Sequence, residues 1–391
     1  MKLVHMPTRR TFLAAAAAVP VAPKAALTRG ELPTPALLLD LDAFNANLEK
    51  MAAHLKKQGR AFRPHAKTHK CPEIARRLLK AGAVGACAAK ISEAEALAAG
   101  GVTGLLLTSA MIGRNRIQRA LDLARRRPET IFSVDDARNA RDLDDAAGAA
   151  RLKLNLAIDL LVGNRTGIQP GAPAAELARL IAKLPNVKLA GLQAYANNAA
   201  HVIGFQERGR FSRAAMARAV ETRQLIEKSG IVCPLVTGGS TGTYNIDSQI
   251  DGVTELQPGS FLFMDLDYNR IGGADGAVYR DFRNSLTVLT TVISKPSKDA
   301  AIVDGGFKSF STDRPFTPET RNLAGVAYAW AGDEHGKLTA AQGPVPVELG
   351  DRVEFIVPHC DPTVNLYDSI YVMKGEKVEA LWPITARGKS Q

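Results

Sequence analysis

From about residue 42 to residue 270 the chain alternates short apolar runs with amphipathic stretches, and this alternation restricts the fold more than any other feature. Runs of strand length lie at Phe62–Ala66, Val84–Ala88, Gly104–Thr108, Ile131–Val134, Leu152–Ile158, Leu189–Ala194, Leu235–Thr237 and within Thr254–Met264. Helical periodicity fills the gaps, as in Pro72–Ala81, Ser92–Ala99, Asn115–Arg126, Pro173–Lys183 and Arg208–Lys228. Two of these open on a proline, which suits the first helical position. Such βα repetition favours a parallel (β/α)8 barrel of the TIM type over an open doubly wound sheet.

Beyond about Arg270 the period changes. Ser285–Ser294, Ala301–Asp304, Val326–Trp330, Val353–Val357, Ser369–Lys374 and Lys377–Pro383 are strand-like and separated by turns, which predicts a C-terminal antiparallel β-domain. Ahead of the barrel, Thr34–Asp40 reads as a strand and Asp42 as the cap of a helix reaching about Lys57. That strand is placed to pair with the barrel or with the β-domain. The expected division is therefore a leader at 1–30, a strand joining the β-domain at 31–41, the barrel at 42–270 and the β-domain at 271–391.

The leader carries Thr8-Arg9-Arg10-Thr11-Phe12-Leu13 followed by the mildly apolar Ala14 to Val19. This is a twin-arginine start, too short to span a bilayer, and it predicts export to the periplasm without stable membrane insertion. The formal charge of +11 raises the question of nucleic acid. Its arginines and lysines are spread over predicted helices, and with only 6% aromatic residues there is little surface for base stacking. An anionic small molecule is the simpler partner. Cys71, Cys87, Cys233 and Cys360 show no CxxC spacing and indicate neither a zinc knuckle nor a disulfide framework.

In a βα barrel, reactive groups come from the C-terminal ends of strands. The most concentrated such place is Phe62-Arg63-Pro64-His65-Ala66-Lys67-Thr68-His69-Lys70. A lysine among other cations is expected to have a lowered pKa and a larger neutral fraction, as a Schiff-base amine requires, although a basic surface loop would read the same. Asn164-Arg165-Thr166-Gly167 and Gln193, Tyr195, Asn197, Asn198 and His201 fall at or beyond later strand ends. Thr237-Gly238-Gly239-Ser240-Thr241-Gly242-Thr243 offers converging amides and hydroxyls that suit a phosphate, or a plain glycine turn, and lacks the P-loop form. Finally, Pro358-His359-Cys360-Asp361-Pro362-Thr363 follows an apolar strand. If the strand continues, His359 and Asp361 face one way and Cys360 the other, a pair able to hold a divalent ion or simply to cap the strand.

Taken together, the motifs resemble the D-threonine aldolase branch of the family that also holds eukaryotic-type D-serine dehydratases, with the alanine racemase-like fold III of pyridoxal phosphate enzymes. The matching pieces include Thr34-Pro35, Arg63-Pro64-His65-Ala66-Lys67, Lys90-x-Ser92-Glu93-Ala94, Arg165-Thr166-Gly167, Gln193-Ala194-Tyr195, Thr237-Gly238-Gly239, Gln257-x-Gly259-Ser260, Asp333-Glu334-His335-Gly336 and His359-x-Asp361-Pro362-Thr363. The resemblance implies that Lys67 binds pyridoxal 5'-phosphate covalently and that Arg165 contacts its phenolic oxygen. It puts Gln257 near the ring nitrogen and Tyr195 in the wall shared with substrate, and gives the phosphate to Gly238, Gly239, Ser240 and Thr241. It makes His359 and Asp361 the ligands of a divalent metal, Mn2+ first and Mg2+ or Co2+ next, and His201 the base acting on the substrate's β-hydroxyl. It also implies a homodimer.

The expected activity is cleavage of a D-3-hydroxy-amino acid, D-threonine-like, to glycine and an aldehyde. The alternatives are dehydration of D-serine or 3-hydroxyaspartate on the same fold, and a pyridoxal phosphate-binding protein without turnover. Asp361 favours the aldolase, because the dehydratases resemble His-x-Cys at this place. Ala196 and Asn197-Asn198-Ala199-Ala200 depart from the family pattern, where a histidine usually follows the tyrosine.

Overall fold

The computed structural model describes residues 27–391, so the twin-arginine segment lies outside the described residues. Strand β1 (Ala36–Asp40) leads into α1 (Leu41–Lys57). Asp40, not Asp42, caps this helix, accepting the Ala43 amide at 3.0 Å. The alternating units follow as β2 (Ala61–Phe62), α2 (Pro72–Lys80), β3 (Ala86–Ala88), α3 (Ile91–Ala99), β4 (Leu105–Leu107) and α4 (Arg114–Arg126). They continue as β5 (Ile131–Val134), α5 (Ala137–Ala149), β6 (Leu154–Asp159), α6 (Ala172–Lys183), β7 (Val187–Ala194) and α7 (Phe205–Lys228). Then come β8 (Leu235–Gly238), the short α8 (Tyr244–Asp247), β9 (Glu255–Leu256) and the short α9 (Leu266–Asn269).

All eight strands from β2 to β9 are parallel, in the order β2-β9-β8-β7-β6-β5-β4-β3. The open seam between β2 and β3 is bridged by a parallel pairing of His65 with Cys87, where the Cys87 amide donates to the Pro64 carbonyl at 2.9 Å. The barrel is thus curled closed at the residues that lead to Lys67. The strand expected within Thr254–Met264 is only two residues long, because the chain turns at Pro258 and enters a 3-10 turn at Ser260–Leu262.

The second sheet comprises β10 (Leu286–Ser297), β11 (Ala300–Val303), β12 (Glu319–Thr320), β13 (Val326–Trp330), β14 (Gly336–Ala340) and β15 (Arg352–Ile356), then, after the helical turn α10 (Cys360–Val364), β16 (Ser369–Lys374) and β17 (Lys377–Pro383). It is antiparallel except where β1 joins it. β1 pairs antiparallel with β10 and parallel with β16, so it belongs to this sheet and not to the barrel. One continuous apolar core runs from Leu78 and Leu97 under the barrel helices to Phe310, Phe355 and Trp382. All four cysteines are buried and unpaired. Among the described residues no helix is long and apolar enough to cross a membrane.

Two features carry this frame to the site. Backbone bonds from Leu266 to Val357 and from Asp267 to Pro358, both 3.1 Å, and from the Cys360 amide to Asp265 Oδ2 at 2.8 Å, clamp the His359–Asp361 turn to the chain leaving β9. Inside the barrel, Arg63 donates through Nε (3.0 Å) and Nη2 (2.9 Å) to the buried Glu255 carboxylate, which also accepts the Thr237 hydroxyl at 2.8 Å. Gln257 donates to that same hydroxyl at 3.0 Å. Arg63, the first cation of the basic stretch, is therefore a structural residue. Arg63→Ala would leave Glu255 buried and uncompensated, a loss of about 3–5 kcal/mol. Equilibrium denaturation checks this, and a change under about 1 kcal/mol would show that the pair is not holding the barrel floor.

Candidate active site

Lys67 sits in a 3-10 turn, Ala66–Thr68, directly after the strand end at Pro64. His65 holds the turn, its Nδ1 accepting the Lys67 amide at 3.3 Å while Nε2 meets Thr108 Oγ1 at 3.2 Å. Gly259 packs against the other side, where a Cβ would stand 2.5 Å from Thr68 Oγ1, so only glycine permits this approach. The Lys67 amine lies 3.8 Å from Asp361 Oδ2 and 5.6 Å from the centre of the Tyr195 ring. Lys70 turns away to Glu93 at 3.9 Å, and His69 is fully buried, its pKa pushed down to about 3 by burial.

The electrostatics reverse one expectation. Cationic neighbours were to lower the Lys67 pKa, but it is raised: burial pulls it down, and the Tyr195 phenol and Asp361 carboxylate outweigh both burial and Arg165. The side chains of the basic loop diverge, so the group nearest the amine is an acid supplied by the β-domain.

Two cavities, of about 190 and 50 Å3, meet at His65, Lys67, Tyr195 and Gln257. The larger also reaches Asp159, Arg165 and Asn197. Arg165 stacks over the Tyr195 ring at 5.2 Å, on the side open to solvent. Asn197 pairs with Asn164, donating from Nδ2 to Asn164 Oδ1 at 2.7 Å, which closes the departed segment over this mouth. The smaller cavity brings together Ser240, Thr241, His201, His359 and Asp361 with Gly259, Ser260 and Tyr268.

The phosphate run is used unevenly. Gly238 ends β8, where a Cβ would collide with the Ala194 carbonyl at 2.0 Å, so its glycine serves strand packing. Gly239 takes the left-handed φ of +73° that turns the chain into the cradle. Ser240 donates its amide to Thr243 Oγ1 at 3.0 Å, while the amides of Thr241 and Gly242 have no hydrogen-bond acceptor among the described residues. These unclaimed donors, with the Ser240 hydroxyl and the Gly259–Ser260 turn opposite, fit a phosphate. With Lys67 at the joint of the two cavities, the residues fit pyridoxal phosphate.

The strand expected to carry His359 and Asp361 ends earlier, at Ile356, and His359 is the N-cap of α10. Strand alternation therefore does not aim the pair; the first turn of α10 does, and both side chains line the smaller cavity. His359 Nδ1 meets Asp313 Oδ2 at 2.8 Å, which leaves Nε2 available. Burial would raise the Asp361 pKa, yet Lys67 and His359 hold it below the usual carboxylate range. The Cys360 thiol between them has its pKa pushed well above the ordinary value by burial and by Asp265. Among the described residues no three His, Cys, Asp or Glu side chains are placed to hold one metal ion together. One nitrogen and one carboxylate with open positions fit a hard divalent ion better than structural zinc.

His201, from the β7–α7 connection, packs on Tyr268 with ring centres 4.6 Å apart, and its Nδ1 lies 3.0 Å from Asp267 Oδ2. Sequence reasoning missed Gly259 and Ser260 as cradle residues, and Tyr268, Asp267, Asp313 and Arg314 altogether. The Gln257-x-Gly259-Ser260 motif held the signal for the first two; the others carry no local pattern.

Comparison with known proteins agrees with this geometry. Residues 39–267 match the model for the alanine racemase N-terminal domain, and residues 285–373 match a serine dehydratase domain model. A D-threonine aldolase from Arthrobacter sp. is 38% identical over 92% of this chain and 93% of its own. A 3-hydroxy-D-aspartate aldolase from Paracoccus denitrificans (strain Pd 1222) is 35% identical over 93% and 94%, and a D-threo-3-hydroxyaspartate dehydratase from Delftia sp. (strain HT23) 29% over 82% and 87%. The crystal structure of D-threonine aldolase from Filomicrobium marinum superposes with a TM-score of 0.90, at 36% identity, over 95% of this chain and all of that one. A barrel that delivers Lys67 to a phosphate-ready cradle, and matches of this extent, mean that the chain belongs to the alanine racemase-like fold III family of pyridoxal phosphate enzymes, among its D-threonine aldolase-like lyases.

Proposed function

We propose that this protein is a pyridoxal phosphate- and divalent-metal-dependent aldolase that cleaves D-3-hydroxy-amino acids of the D-threonine kind to glycine and an aldehyde. The observation that carries this reading is the convergence of Lys67, His201, His359 and Asp361 on one cavity, with the Lys67 amine 3.8 Å from Asp361. Pyridoxal phosphate held at Lys67 supplies the electron sink for the pair left on Cα when the Cα–Cβ bond breaks. A divalent ion held by His359 and Asp361 would lower the pKa of the β-hydroxyl.

The chain's own residues do the rest. His201 accepts the β-hydroxyl proton, Arg165 would contact the phenolic oxygen of the cofactor, Tyr195 forms the wall shared with substrate, and Gln257 is a neutral neighbour for the ring nitrogen. The likeness to a serine dehydratase domain and to the Delftia dehydratase supports a second reading, loss of the β-hydroxyl as water. Against it stands the donor set: where the dehydratases resemble His-x-Cys, this chain offers the Asp361 carboxylate, a hard oxygen donor that lines the cavity. Manganese, homodimer formation and export to the periplasm by the Arg9–Arg10 leader complete the proposal.

The test is product analysis with D-threonine, Mn2+ and pyridoxal phosphate. Glycine and acetaldehyde in equal amounts, lost on chelation, are expected; ammonia and 2-oxobutyrate would select the dehydratase.

A further inference from the structure

Five side chains form one continuous line of contacts that joins His201 to His359, both of which line the smaller cavity. Asp267 Oδ2 lies 3.0 Å from His201 Nδ1 and 2.9 Å from Arg314 Nη2. Arg314 Nη1 donates to Asp313 Oδ2 at 2.9 Å, and the same oxygen lies 2.8 Å from His359 Nδ1. The two contacts of Asp267 Oδ2 are close but off the N–H axes, so on that half the Arg314 guanidinium acts on Asp267 by charge rather than by a directed hydrogen bond. The Asp313 half is properly directed on both sides.

We infer that Arg314 is a positioning residue that fixes both histidines of the site at once, His201 through Asp267 and His359 through Asp313. The inference rests on the proposed roles of those histidines and adds three residues that no motif marks. A carboxylate on Nδ1 sets the orientation of an imidazole and raises the basicity of Nε2, the atom left for the cavity. Each histidine here has such a carboxylate. What is unusual is that one guanidinium joins the two, spending its two terminal nitrogens on different acids, which the planar fork of arginine can do and a lysine ammonium cannot do in the same geometry. His201 and Asp267 belong to the barrel side, whereas Asp313, Arg314 and His359 come from the β-domain side. Arg314 thus also fixes the spacing between the two histidines across the cleft. Asp267 is anchored independently by its N–H donating to the Pro358 carbonyl, and His359 by its N–H donating to Ser311 Oγ at 3.0 Å, so the backbone of the site does not depend on the arginine.

The test uses the full chain loaded with pyridoxal phosphate and two readouts. Mn2+ alone is titrated by calorimetry in the absence of substrate, and kcat and KM for D-threonine are measured separately. Arg314→Ala is expected to weaken Mn2+ binding about 10-fold and to lower kcat about 10-fold, with KM changed less, as loss of an outer partner of a metal ligand does. Adding Arg314→Ala to Asp267→Asn should then cost kcat less than Arg314→Ala costs the parent, because only the Asp313–His359 arm is left to lose. Arg314→Gln, read by the same criteria, replaces the alanine variant if thermal melting shows that it does not fold. A fall in only one of the two readouts, or in neither, overturns the inference. His359→Ala separates the levels: if it leaves Mn2+ affinity unchanged, the metal assignment has failed and the Arg314 inference with it. If it abolishes binding while Arg314→Ala does not weaken it, only the Arg314 inference falls.

Discussion

Lys67→Ala is expected to remove the absorption band that the protein acquires with pyridoxal phosphate and to lower kcat by at least about 10⁴-fold. The amine is one of a kind in its surroundings. Lys70, three residues on, is committed to the buried Glu93 and turned out of the cavity, and Arg165 cannot form the covalent bond. The raised pKa of Lys67 sharpens the expectation. Tyr195 and Asp361 raise the pKa of the unmodified Lys67 amine, which pairs with Asp361 before any cofactor binds. Removing it should strand the Asp361 carboxylate, so the variant should also lose stability in the absence of cofactor. An unchanged absorption band in Lys67→Ala would transfer the assignment to another lysine. Lys70→Ala, by contrast, should keep the band.

The second large effect concerns the far end of the chain. His359→Ala and Asp361→Ala are each expected to lower kcat about 10²–10³-fold while leaving the cofactor band in place, because these side chains line the cavity beyond Lys67 and not the phosphate cradle. Chelation of the parent protein should give a loss of the same size, and Mn2+ should restore the chelated parent but neither variant at ordinary concentrations. His359→Ala also strips Asp313 of one partner and leaves it with Arg314 alone, so its effect should exceed that of Asp313→Asn. Turnover that survives chelation would remove the metal role from the pair.

Much of the frame was readable from the amino-acid order, for a physical reason. Barrel strands buried on both faces are apolar throughout, and the helices between them carry one apolar face, so the two periods separate cleanly along Ile131–Ala194. Where the local signal is weak the reading loosens. Glu319–Thr320 and Gly336–Ala340 are too short and polar to register as strands, yet each is held in the second sheet by its neighbours. Leu37–Leu39 is apolar enough for either sheet, and only its ladder with β10 and β16 decides.

The site divides in the same way. Lys67, Tyr195, Gln257, His201, His359 and Asp361 stand in recognisable local patterns, and the fold brings all six to the joined cavities. The direction of the Lys67 shift was not readable, because the two neighbours that raise it, Tyr195 and then Asp361, both lie far away in sequence. Asp267, Asp313 and Arg314 are ordinary surface-type residues in sequence, and their relation exists only once α9 and the loop before β12 come together.

The most direct test of the reaction follows the hydrogen on Cα. With D-threonine deuterated at Cα, Mn2+ and pyridoxal phosphate, cleavage of the Cα–Cβ bond leaves that hydrogen untouched. Mass spectrometry should then find glycine carrying one deuterium, with unlabelled acetaldehyde in equal amount. Deuterium released to solvent together with 2-oxobutyrate would mean that the α-hydrogen, not the β-hydroxyl proton, is taken first, and would contradict the aldolase reading.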